Sequence, residues 1–315
     1  MAGTSIYSVY RRTARAAAKQ QVVRKTSNID VERARVDFAY FCDVVGDKPP
    51  ASHHREWHKY LCTGKDSECL VGIGGPNIDI LAPRGSAKST ILGLYTAWTV
   101  GIHALNKQPL KVLYISYTVD VARPKSAAIK RIIEESKTYR EIFPKVKIAK
   151  GINSNEYWSI DWKFAGIKST GEEEFTVCCA GLKGAVTSKR SHLCIIDDAI
   201  KSADDIKNRD IRQAMEDNWN AVIVPTMFEG GRAVCLGTRF RHDDIHNSTF
   251  TPANDWVQII QSAITVDSNG DEISYWPDMW SLDYLRDRRR QAPVAFSFQY
   301  QNQIVQTSEL SLSPD

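Results

Sequence analysis

The chain has 315 residues, of which 43% are hydrophobic and 25% charged, which is the composition of a globular protein with room for one large core or two modest ones. No run approaches the roughly 18 apolar residues of a membrane span, and the basic N-terminus lacks the apolar block of a secretory signal. The net charge is only +4, so any contact with nucleic acid must come from local patches.

Cysteine usage gives no sign of a disulfide framework or of a metal site built from cysteine. The seven cysteines are an odd number, and none falls in a C-x₂-C pair. Several lie in apolar runs that are typical of strands, as Cys178, Cys194 and Cys235 do. We therefore expect buried thiols in a reducing compartment.

Residues 1–30 are predicted to form a basic N-terminal arm. The arm has no acidic residue before Asp30, and its basic residues are Arg11, Arg12, Arg15, Lys19, Arg24 and Lys25. Such a segment is either disordered or ordered only on DNA or on a partner protein. Residues 31–45 follow as a predicted helix, with Asn28 or Asp30 as its N-cap.

A group of histidines and aromatic residues comes next, at residues 53–61. Three histidines so close together suggest a metal site, but no matching ligand cluster lies nearby, so we discount that interpretation. Two others remain open. The segment provides an aromatic surface on which adenine stacks, or it is an amphipathic helix that places Trp57 and Leu61 in the core.

The most informative stretch is residues 81–90, which reads Leu-Ala-Pro-Arg-Gly-Ser-Ala-Lys-Ser-Thr. An apolar strand pattern precedes it and a helical pattern over residues 91–104 follows it, which is the order of a phosphate-binding loop. In such a loop the backbone N–H groups and the helix N-terminus face a β-phosphate. Lys88 then reaches the β- and γ-phosphates, and the Ser89 hydroxyl ligates Mg²⁺.

The glycine positions of this loop are unusual. When the pattern G-x-x-x-x-G-K-[ST] is laid on the chain, Ala82 and Ala87 occupy the two glycine positions, and Gly85 is the glycine inside the loop. Alanine costs roughly 1–2 kcal/mol wherever the left-handed backbone region is required. The alternative interpretation is a strand–turn–helix that leaves Lys88 exposed to solvent.

The middle of the chain predicts further strands and helices. Residues 111–117 form a second buried strand, and a helix follows to about residue 139 with Asp120 as its cap and Pro124 in its first turn. Alternating runs at residues 158–162 and 174–179 predict two more strands.

A buried apolar strand over residues 192–198 ends in two acids, Asp197 and Asp198. We expect this strand to lie beside the phosphate-loop strand in a parallel sheet. Asp197 is then placed to hold the Mg²⁺ shell, and Asp198 to orient or deprotonate an attacking water. The alternative is an Asp-Asp turn after a core strand.

Residues 204–223 are predicted to be helical, and residues 232–237 to form a strand that ends in Thr238 and Arg239. Ligands bind at the carboxyl ends of the strands in open α/β sheets, so this pair is placed to sense a γ-phosphate. The alternative is that Arg239 is a solvated loop arginine.

The C-terminal part begins with a last strand over residues 256–264, followed by turn-rich residues 266–280. Residues 283–290 then predict a charged helix that carries four arginines. These arginines and the N-terminal arm are both candidate DNA-contacting surfaces, and the alternative for each is a solvated face.

Together these segments resemble the ATPase domain of a phage terminase large subunit, the motor that packages DNA into a preformed capsid. The resemblance is carried by residues 82–90, 184–198, 236–244 and 296–301. It implies an α/β fold of the RecA-like (ASCE) P-loop class, in which helices flank a central, mostly parallel sheet. It also implies an ATPase core at residues 31–265 and a small linker or lid subdomain at residues 266–315.

The resemblance further implies roles for individual residues. The implied nucleotide contacts are Arg84, Gly85, Ser86, Ala87, Lys88, Ser89, Thr90, Thr238 and Arg239, and the implied metal contacts are Ser89 and Asp197. Asp198, Arg84 and Arg123 are the implied catalytic residues. Arg84 matches the basic residue that packaging motors place inside this loop. Arg123, with Arg190 behind it, is the candidate for the arginine that completes a neighbouring subunit's site. Thr238 and Arg239 resemble the motif that couples hydrolysis to movement.

Two features depart from the family pattern. Many relatives have Glu where this chain has Asp198, so Asp204 and Asp205 remain open as alternative catalytic bases. Full-length members also carry a C-terminal nuclease domain, and this sequence stops just after the linker to it. We therefore expect no DNA cleavage from this stretch.

The implied reaction is Mg²⁺-assisted hydrolysis of ATP that drives translocation of double-stranded DNA, with ATP and Mg²⁺ as cofactors. The implied partners are duplex DNA, a portal protein, a small terminase subunit and further copies of the chain in a ring, with a monomer in isolation and no membrane contact. The implied location is the host cytoplasm, at the portal vertex of the procapsid. Three alternatives remain: a P-loop helicase or other DNA-dependent ATPase, an ATP-binding scaffold with little turnover, and a DNA-binding module with a vestigial loop.

Overall fold

The computed structural model describes residues 29–46, 49–62, 74–169, 171, 175–184 and 189–303. Nearly all of the predicted basic arm lies outside these ranges, and so do Cys69, four residues of the 184–198 segment and the chain from residue 304 onward. None of the helices in the described ranges combines the length and the apolar character that crossing a bilayer requires.

Ten strands and eleven α-helices make up the described structure. The strands are β1 Asn77–Leu81, β2 Val112–Ser116, β3 Ile148–Asn153, β4 Tyr157–Ile160, β5 Val177–Gly181, β6 Ser191–Asp197, β7 Met227–Gly237, β8 Trp256–Ile260, β9 Ile264–Val266 and β10 Glu272–Ser274. The helices are α1 Val31–Val36, α2 Phe38–Val45, α3 Ser52–Leu61, α4 Lys88–Leu105, α5 Val119–Glu135, α6 Lys137–Ile142, α7 Trp162–Ala165, α8 Arg209–Asn218, α9 Ile245–Ser248, α10 Leu282–Gln291 and α11 Pro293–Gln299. Three 3₁₀ turns, Asp204–Ile206, Val224–Thr226 and Pro252–Asn254, and a π-helical turn, Trp219–Ile223, complete the elements.

Eight of the strands form one central sheet, in the order β3-β4-β5-β2-β6-β7-β1-β8. All neighbours from β5 to β8 pair in parallel, and β3 and β4 extend the sheet in antiparallel pairing. Helices flank this sheet, and one strand separates the phosphate-loop strand from the strand that ends in Asp197. The predicted fold class is confirmed.

The expected pairing of β6 with β1 is wrong, because β7 lies between them. Val234 of β7 is in register with Ile78 on one side and with Ile195 on the other. The sequence marks each of these strands as buried, but the order of parallel strands depends on how the crossover segments return, which local patterns do not encode. All three strands still end at the same edge of the sheet.

Both faces of the parallel strands are covered, which explains their uninterrupted apolar sequences. In β6, Leu193 and Ile195 contribute to the core that α4 and α5 cover, while Cys194 and Ile196 contribute to a second core on the opposite face. A third, smaller cluster lies in the C-terminal part of the described chain and comprises Ala263, Ile264, Tyr275, Leu285 and Phe296. The domain boundary near residue 265 stays a prediction.

Two predicted helices differ from the observed ones. The helix predicted over residues 31–45 breaks at Asp37, whose extended backbone and side chain cap α2 through the amide of Tyr40 at 3.0 Å. The helix after β2 begins at Val119, so Pro124 lies in its second turn and not in its first. Local capping by Asp and Ser side chains accounts for such breaks, since they give the backbone an alternative partner.

The predicted helix over residues 204–223 is also interrupted. It consists of a 3₁₀ turn, then α8, then a π-helical turn that packs Trp219 and Ile223 into the second core. The predicted last strand is shorter than expected, because it ends at Ile260 and the chain re-enters β structure only at Ile264 in a separate two-stranded sheet. The predicted arginine-rich helix is observed as Leu282–Gln291.

Two glycines in α4 should respond oppositely to substitution by alanine. A Cβ on Gly101 would lie 2.4 Å from a ring atom of buried Phe143, whereas a Cβ on Gly93 would meet Ile129 at 3.8 Å, an ordinary contact. Gly101→Ala is therefore expected to destabilise the fold by about 1–3 kcal/mol through overpacking. Gly93→Ala is expected to stabilise it by roughly 0.5–1 kcal/mol, because alanine favours the helix interior. Denaturant unfolding measures both, and a shift of the same sign in the two variants would contradict the packing at Gly101.

Candidate functional site

The predicted phosphate loop forms a tight turn between β1 and α4 at the carboxyl edge of the sheet. Two of its residues have left-handed backbone conformations, Gly85 with φ 76° and Ala87 with φ 60°. Ala87 occupies the second glycine position of the pattern, so that position does require the left-handed conformation, which alanine adopts only at a free-energy cost. Ala82, at the first position, has no positive φ and is fully buried at the end of the strand.

Ala87→Gly is expected to stabilise the protein by about 1 kcal/mol, because glycine adopts the left-handed region without the steric cost to alanine. The matched control is Ala82→Gly, which removes a buried methyl group where no left-handed conformation is required and should destabilise. Thermal or denaturant unfolding measures both changes. An Ala87→Gly variant less stable than the wild type would show that the strain assigned to Ala87 is absent.

Lys88 is buried inside the loop, so the interpretation of an exposed lysine is wrong. Its ammonium donates to the carbonyl oxygens of Ala82 at 3.2 Å and Pro83 at 3.0 Å, and to Thr238 Oγ1 at 2.8 Å. Burial lowers the pKa of Lys88, while the carboxylates of Asp198 and Asp197 act in the opposite direction. The ammonium is held at the centre of the turn, where the loop backbone surrounds it.

Ser89 and Asp197 meet directly behind the loop. The Ser89 hydroxyl donates to Asp197 Oδ1 at 2.9 Å, and the Tyr114 hydroxyl donates to Oδ2 at 2.7 Å. Asp197 is fully buried, and burial raises its pKa against the opposing effect of Lys125. A hydroxyl and a carboxylate are the hard oxygen ligands that Mg²⁺ takes, so this pair fits the metal the sequence implies. The structure brings the two predicted metal contacts together, and their role remains a prediction.

Asp198 follows β6 in a left-handed conformation, with φ 54° and its amide bonded to the Leu236 carbonyl at 3.1 Å. Aspartate is one of the few residues besides glycine that adopt the left-handed region regularly, so the position suits this side chain. The Asp198 carboxylate is 37% exposed and lines the cavity described below. Neither Asp204 nor Asp205 is among the described residues that line it, and Asp205 accepts a hydrogen bond from Ser202 instead.

A cavity of about 250 Å³ opens at this edge of the sheet, between the loop and the ends of β6 and β7. Its lining contains four cations and one acid. The lining residues are Arg84, Gly85, Lys88, Tyr117, Val121, Lys125, Asp198, Ile200, Lys201, Thr238 and Phe240. Such an excess of positive charge favours a polyanion of the size of a polyphosphate.

The side chains of Thr238 and Arg239 lie in different environments. Thr238 lines the cavity, accepts from Lys88 and donates to the Ala82 carbonyl at 3.1 Å. Arg239 is only 3% exposed, so the interpretation of a solvated loop arginine is wrong. Its guanidinium donates to the carbonyl of Asn302 and to Asn247, away from the cavity lining. The structure therefore does not bring Arg239 into the cavity, and links it to the C-terminal segment.

The remaining predicted arginines lie on the surface of the chain. Arg84 is exposed in the loop and donates two hydrogen bonds to Gln299. Its backbone amide donates to the Gln299 carbonyl oxygen at 3.1 Å, and its guanidinium donates to Gln299 Oε1 at 3.1 Å. Arg123 is 44% exposed and pairs with Asp120 and Glu156, outside the cavity lining. Arg190 precedes β6, so it lies at the opposite end of that strand from Asp197, above the Phe228 ring. A role for either arginine in a neighbouring subunit stays a prediction.

The histidine-rich segment is the amphipathic helix α3, and that interpretation is confirmed. Trp57 and Leu61 are buried at 0% and 1% exposure, so the Trp57 ring is not available for stacking on a base. The helix supports the loop from behind, since His54 Nε2 lies 2.8 Å from the Ser86 carbonyl oxygen. The Ser86 side chain is buried, and Thr90 is exposed in the first turn of α4.

Sequence reasoning missed two residues that touch the site. Lys125 on α5 contacts Asp197, although its sequence context resembles any solvated helix lysine. Trp280, in the C-terminal part, donates to the Gly85 carbonyl at 3.3 Å. A Cβ on Gly85 would lie 2.6 Å from that indole ring, so the glycine is needed for close approach as well as for its backbone conformation.

A buried polar network lies behind the loop strand. His246 Nδ1 lies 3.0 Å from each oxygen of Asp79, and Gln258 donates to Asp79 at 3.1 Å. Ligand atoms of Asp79, Cys235 and His246 lie within 4.8 Å of one another. Because His246 and Gln258 already satisfy the carboxylate, we interpret this group as a structural hydrogen-bond network that ties β8 and α9 to β1.

No protein-family model matches the sequence, and no curated protein matches it. Several solved structures are similar to the chain, and phage large terminases are among them. The HK97 bacteriophage large terminase has a TM-score of 0.49 and 13% identity over 88% of this chain and 56% of its own. A variant of the Thermus phage P74-26 large terminase ATPase domain has a TM-score of 0.48 and 12% identity, and the match covers 84% of this chain and 97% of that domain.

The large terminase of a thermophilic bacteriophage, in complex with ATP-γ-S, has a TM-score of 0.44 and 8% identity over 71% of this chain and 46% of its own. The chain thus spans about half the length of the two larger terminases, at 46% and 56%, and nearly all of the separate ATPase domain. The similarity is distant on both measures.

Proposed function

We propose that the chain is a Mg²⁺-dependent ATPase of the terminase type, which hydrolyses ATP to ADP and phosphate. One observation carries the proposal: Lys88, buried at the centre of the loop turn, lines a cavity rich in cations, and its neighbour Ser89 is already hydrogen-bonded to Asp197. Lys88 and Ser89 follow β1 and Asp197 ends β6, and these two strands end at the same edge of the sheet.

The charge of the cavity supports a triphosphate as the ligand. Arg84, Lys88, Lys125 and Lys201 line the cavity against one carboxylate, Asp198. The N-terminus of the 18-residue helix α4 adds further positive potential. In phosphoryl transfer most of the catalysis comes from positioning and charge stabilisation, which is what such a lining provides.

Individual residues take roles that follow from their positions. Lys88 and Thr238 would hold the β- and γ-phosphate oxygens, and Ser89 and Asp197 would hold the cation. When bound, the cation would neutralise the charge that develops on the phosphate oxygens. Asp198, the exposed carboxylate at the cavity, orients the attacking water and accepts its proton.

The proposed output is translocation of double-stranded DNA into a procapsid, and it rests on the terminase-like order of the motifs. Partners of such a motor would be duplex DNA, a portal protein, a small terminase subunit and further copies of the chain at the portal vertex in the host cytoplasm. Arg123, exposed and paired with Glu156, is the candidate to enter a neighbouring subunit's site. A motor that tracks the DNA backbone should bind with weak sequence preference and strong salt sensitivity.

The experiment is release of phosphate from ATP, measured against protein concentration with and without duplex DNA. Activity that rises faster than linearly with concentration, and that requires Mg²⁺, is the expected result if a neighbour's arginine completes the site. An arginine supplied by a neighbour contributes about 10³–10⁵ in rate in related phosphoryl-transfer enzymes. Binding of ATP without turnover at any concentration, with DNA and portal present, would instead identify an ATP-binding scaffold. Separation of DNA strands would identify a helicase.

A further inference from the structure

Lys125 is a half-buried lysine in the second turn of α5, and it lies against the proposed metal-binding carboxylate. Its ammonium is 3.0 Å from Asp197 Oδ2, 3.1 Å from the Asp197 carbonyl oxygen and 4.0 Å from Asp198. It also lies 3.4 Å from Ser116 Oγ, and the side chain is 18% exposed. The tip of Lys125 therefore sits between the ends of β2 and β6, on the wall of the cavity.

The carboxylate of Asp197 needs a cation in its present environment. It is fully buried, and its two other side-chain partners, Ser89 and Tyr114, are neutral hydroxyls. A buried charge without a counter-ion is strongly unfavourable. Within the described part of the chain, Lys125 is the cation that forms a salt bridge with Asp197, because Lys88 is held by loop carbonyls and by Thr238.

We propose that Lys125 is an internal counter-ion that excludes a metal ion from Asp197 until a nucleotide arrives, and that its ammonium then turns to the terminal phosphate. This inference rests on the proposed function of the same site. A divalent cation and an ammonium held by one carboxylate repel each other strongly in a water-poor site. A triphosphate brings enough negative charge to attract the ammonium, and the lysine stem is flexible enough to turn toward it. Lys125 thus makes metal binding conditional on nucleotide binding, and it acts as a catalytic residue once its ammonium contacts the terminal phosphate.

The first measurement is binding of Mn²⁺ alone to the nucleotide-free protein, followed by electron paramagnetic resonance. The wild type is expected to bind Mn²⁺ weakly, and Lys125→Met, which keeps the length of the side chain but removes its charge, to bind at least about tenfold more tightly. Adding Asp197→Asn to Lys125→Met should abolish that gain. Lys125→Arg keeps the charge and should behave like the wild type. The matched control is Lys130→Met, since Lys130 is a buried lysine of the same helix that bonds Asn153 and Ser154 instead.

The second measurement is turnover. With Mg²⁺ and ATP saturating, Lys125→Met is expected to lower kcat by about 10²-fold, because the ammonium no longer reaches the terminal phosphate. Mn²⁺ binding equal in the wild type and Lys125→Met would overturn the inference, and so would an unchanged kcat. If Lys125→Met does not fold, tight nucleotide-free Mn²⁺ binding by the wild type or by Lys125→Arg still overturns it. Failure of the wild type to hydrolyse ATP counts against the proposed function, whereas the Mn²⁺ comparison tests Lys125 alone.

Discussion

Lys88→Ala is expected to reduce ATP turnover by about 10³-fold or more, because it removes the cation at the centre of the phosphate loop. Preorganised donors aimed at developing charge are worth roughly 10²–10³ each, and Lys88 adds a full positive charge. Steady-state phosphate release at saturating Mg²⁺ and ATP measures the effect. The variant should fold normally, since it removes a buried charge whose pKa is already lowered by burial.

Lys130→Ala is the matched control for Lys88→Ala. Lys130 is also a buried lysine, at 8% exposure against 6% for Lys88, but it bonds Asn153 and the Ser154 carbonyl outside the cavity. Its truncation should leave turnover within about twofold of the wild type and reveal any general effect of truncating a buried lysine. Wild-type turnover in the Lys88→Ala variant would show that the loop takes no part in ATP hydrolysis.

The second large expected effect is a loss of stability on acidification, from buried histidines. Burial lowers the pKa of His53 and of His58 to about 3 and that of His103 to about 4, and it lowers the pKa of His54 as well. These side chains are neutral in the folded protein, whereas the unfolded chain protonates them below about pH 6.5. Their contribution to stability is therefore complete above pH 6.5 and is lost as the pH falls below it.

The size of the acid effect follows from the same values. Between pH 7 and pH 5, His53 and His58 each contribute a loss of about 2 kcal/mol, or roughly 4 kcal/mol together, at 1.36 kcal/mol per pK unit. Burial opposes protonation of His246 too, but the Asp79 carboxylate outweighs it and raises the pKa of His246. The pH dependence of the His246 contribution to stability is therefore opposite. That contribution is present below pH 6.5 and is lost as the pH rises through the raised pKa.

Urea unfolding at pH 7 and at pH 5 measures the acid effect, and His58→Phe isolates one histidine. Neither ring nitrogen of His58 has a hydrogen-bond partner, and the ring packs 4.5 Å from that of Phe38, so phenylalanine suits the position. The variant should lose about 2 kcal/mol less than the wild type between the two pH values. An identical pH dependence in both proteins would mean that His58 is solvated or charged in the folded state.

The phosphate loop could be predicted from sequence because its signal is local. Strand, turn, Lys88-Ser89 and helix follow one another within about thirty residues, and the two acids that end β6 stand out against its apolar run. For residues 53–61 the sequence left two interpretations open, and the structure supports the amphipathic helix, in which helical periodicity places Trp57 and Leu61 in the core.

What the sequence could not predict depends on contacts between distant segments. β7 lies between β1 and β6 because of the path of the crossovers, and no residue of β7 encodes its neighbours. The direction of Arg239 follows from its bonds to Asn247 and Asn302, the second of which is 63 residues away in the chain. Lys125 reaches Asp197 across 72 residues, so its position in the sequence shows only a polar residue on an amphipathic helix.

The most direct test of the account is an experimental structure of the protein with Mg²⁺ and a non-hydrolysable ATP analogue. The predicted result has the β-phosphate inside the turn of residues 82–87, with Lys88 on the β- and γ-phosphates and the cation between Ser89 Oγ and the Asp197 carboxylate. Lys125 should have left Asp197 for the terminal phosphate. An analogue bound elsewhere on the protein, or no binding while Lys88 keeps its bonds to the loop carbonyls, would contradict the assignment of this cavity as a nucleotide site.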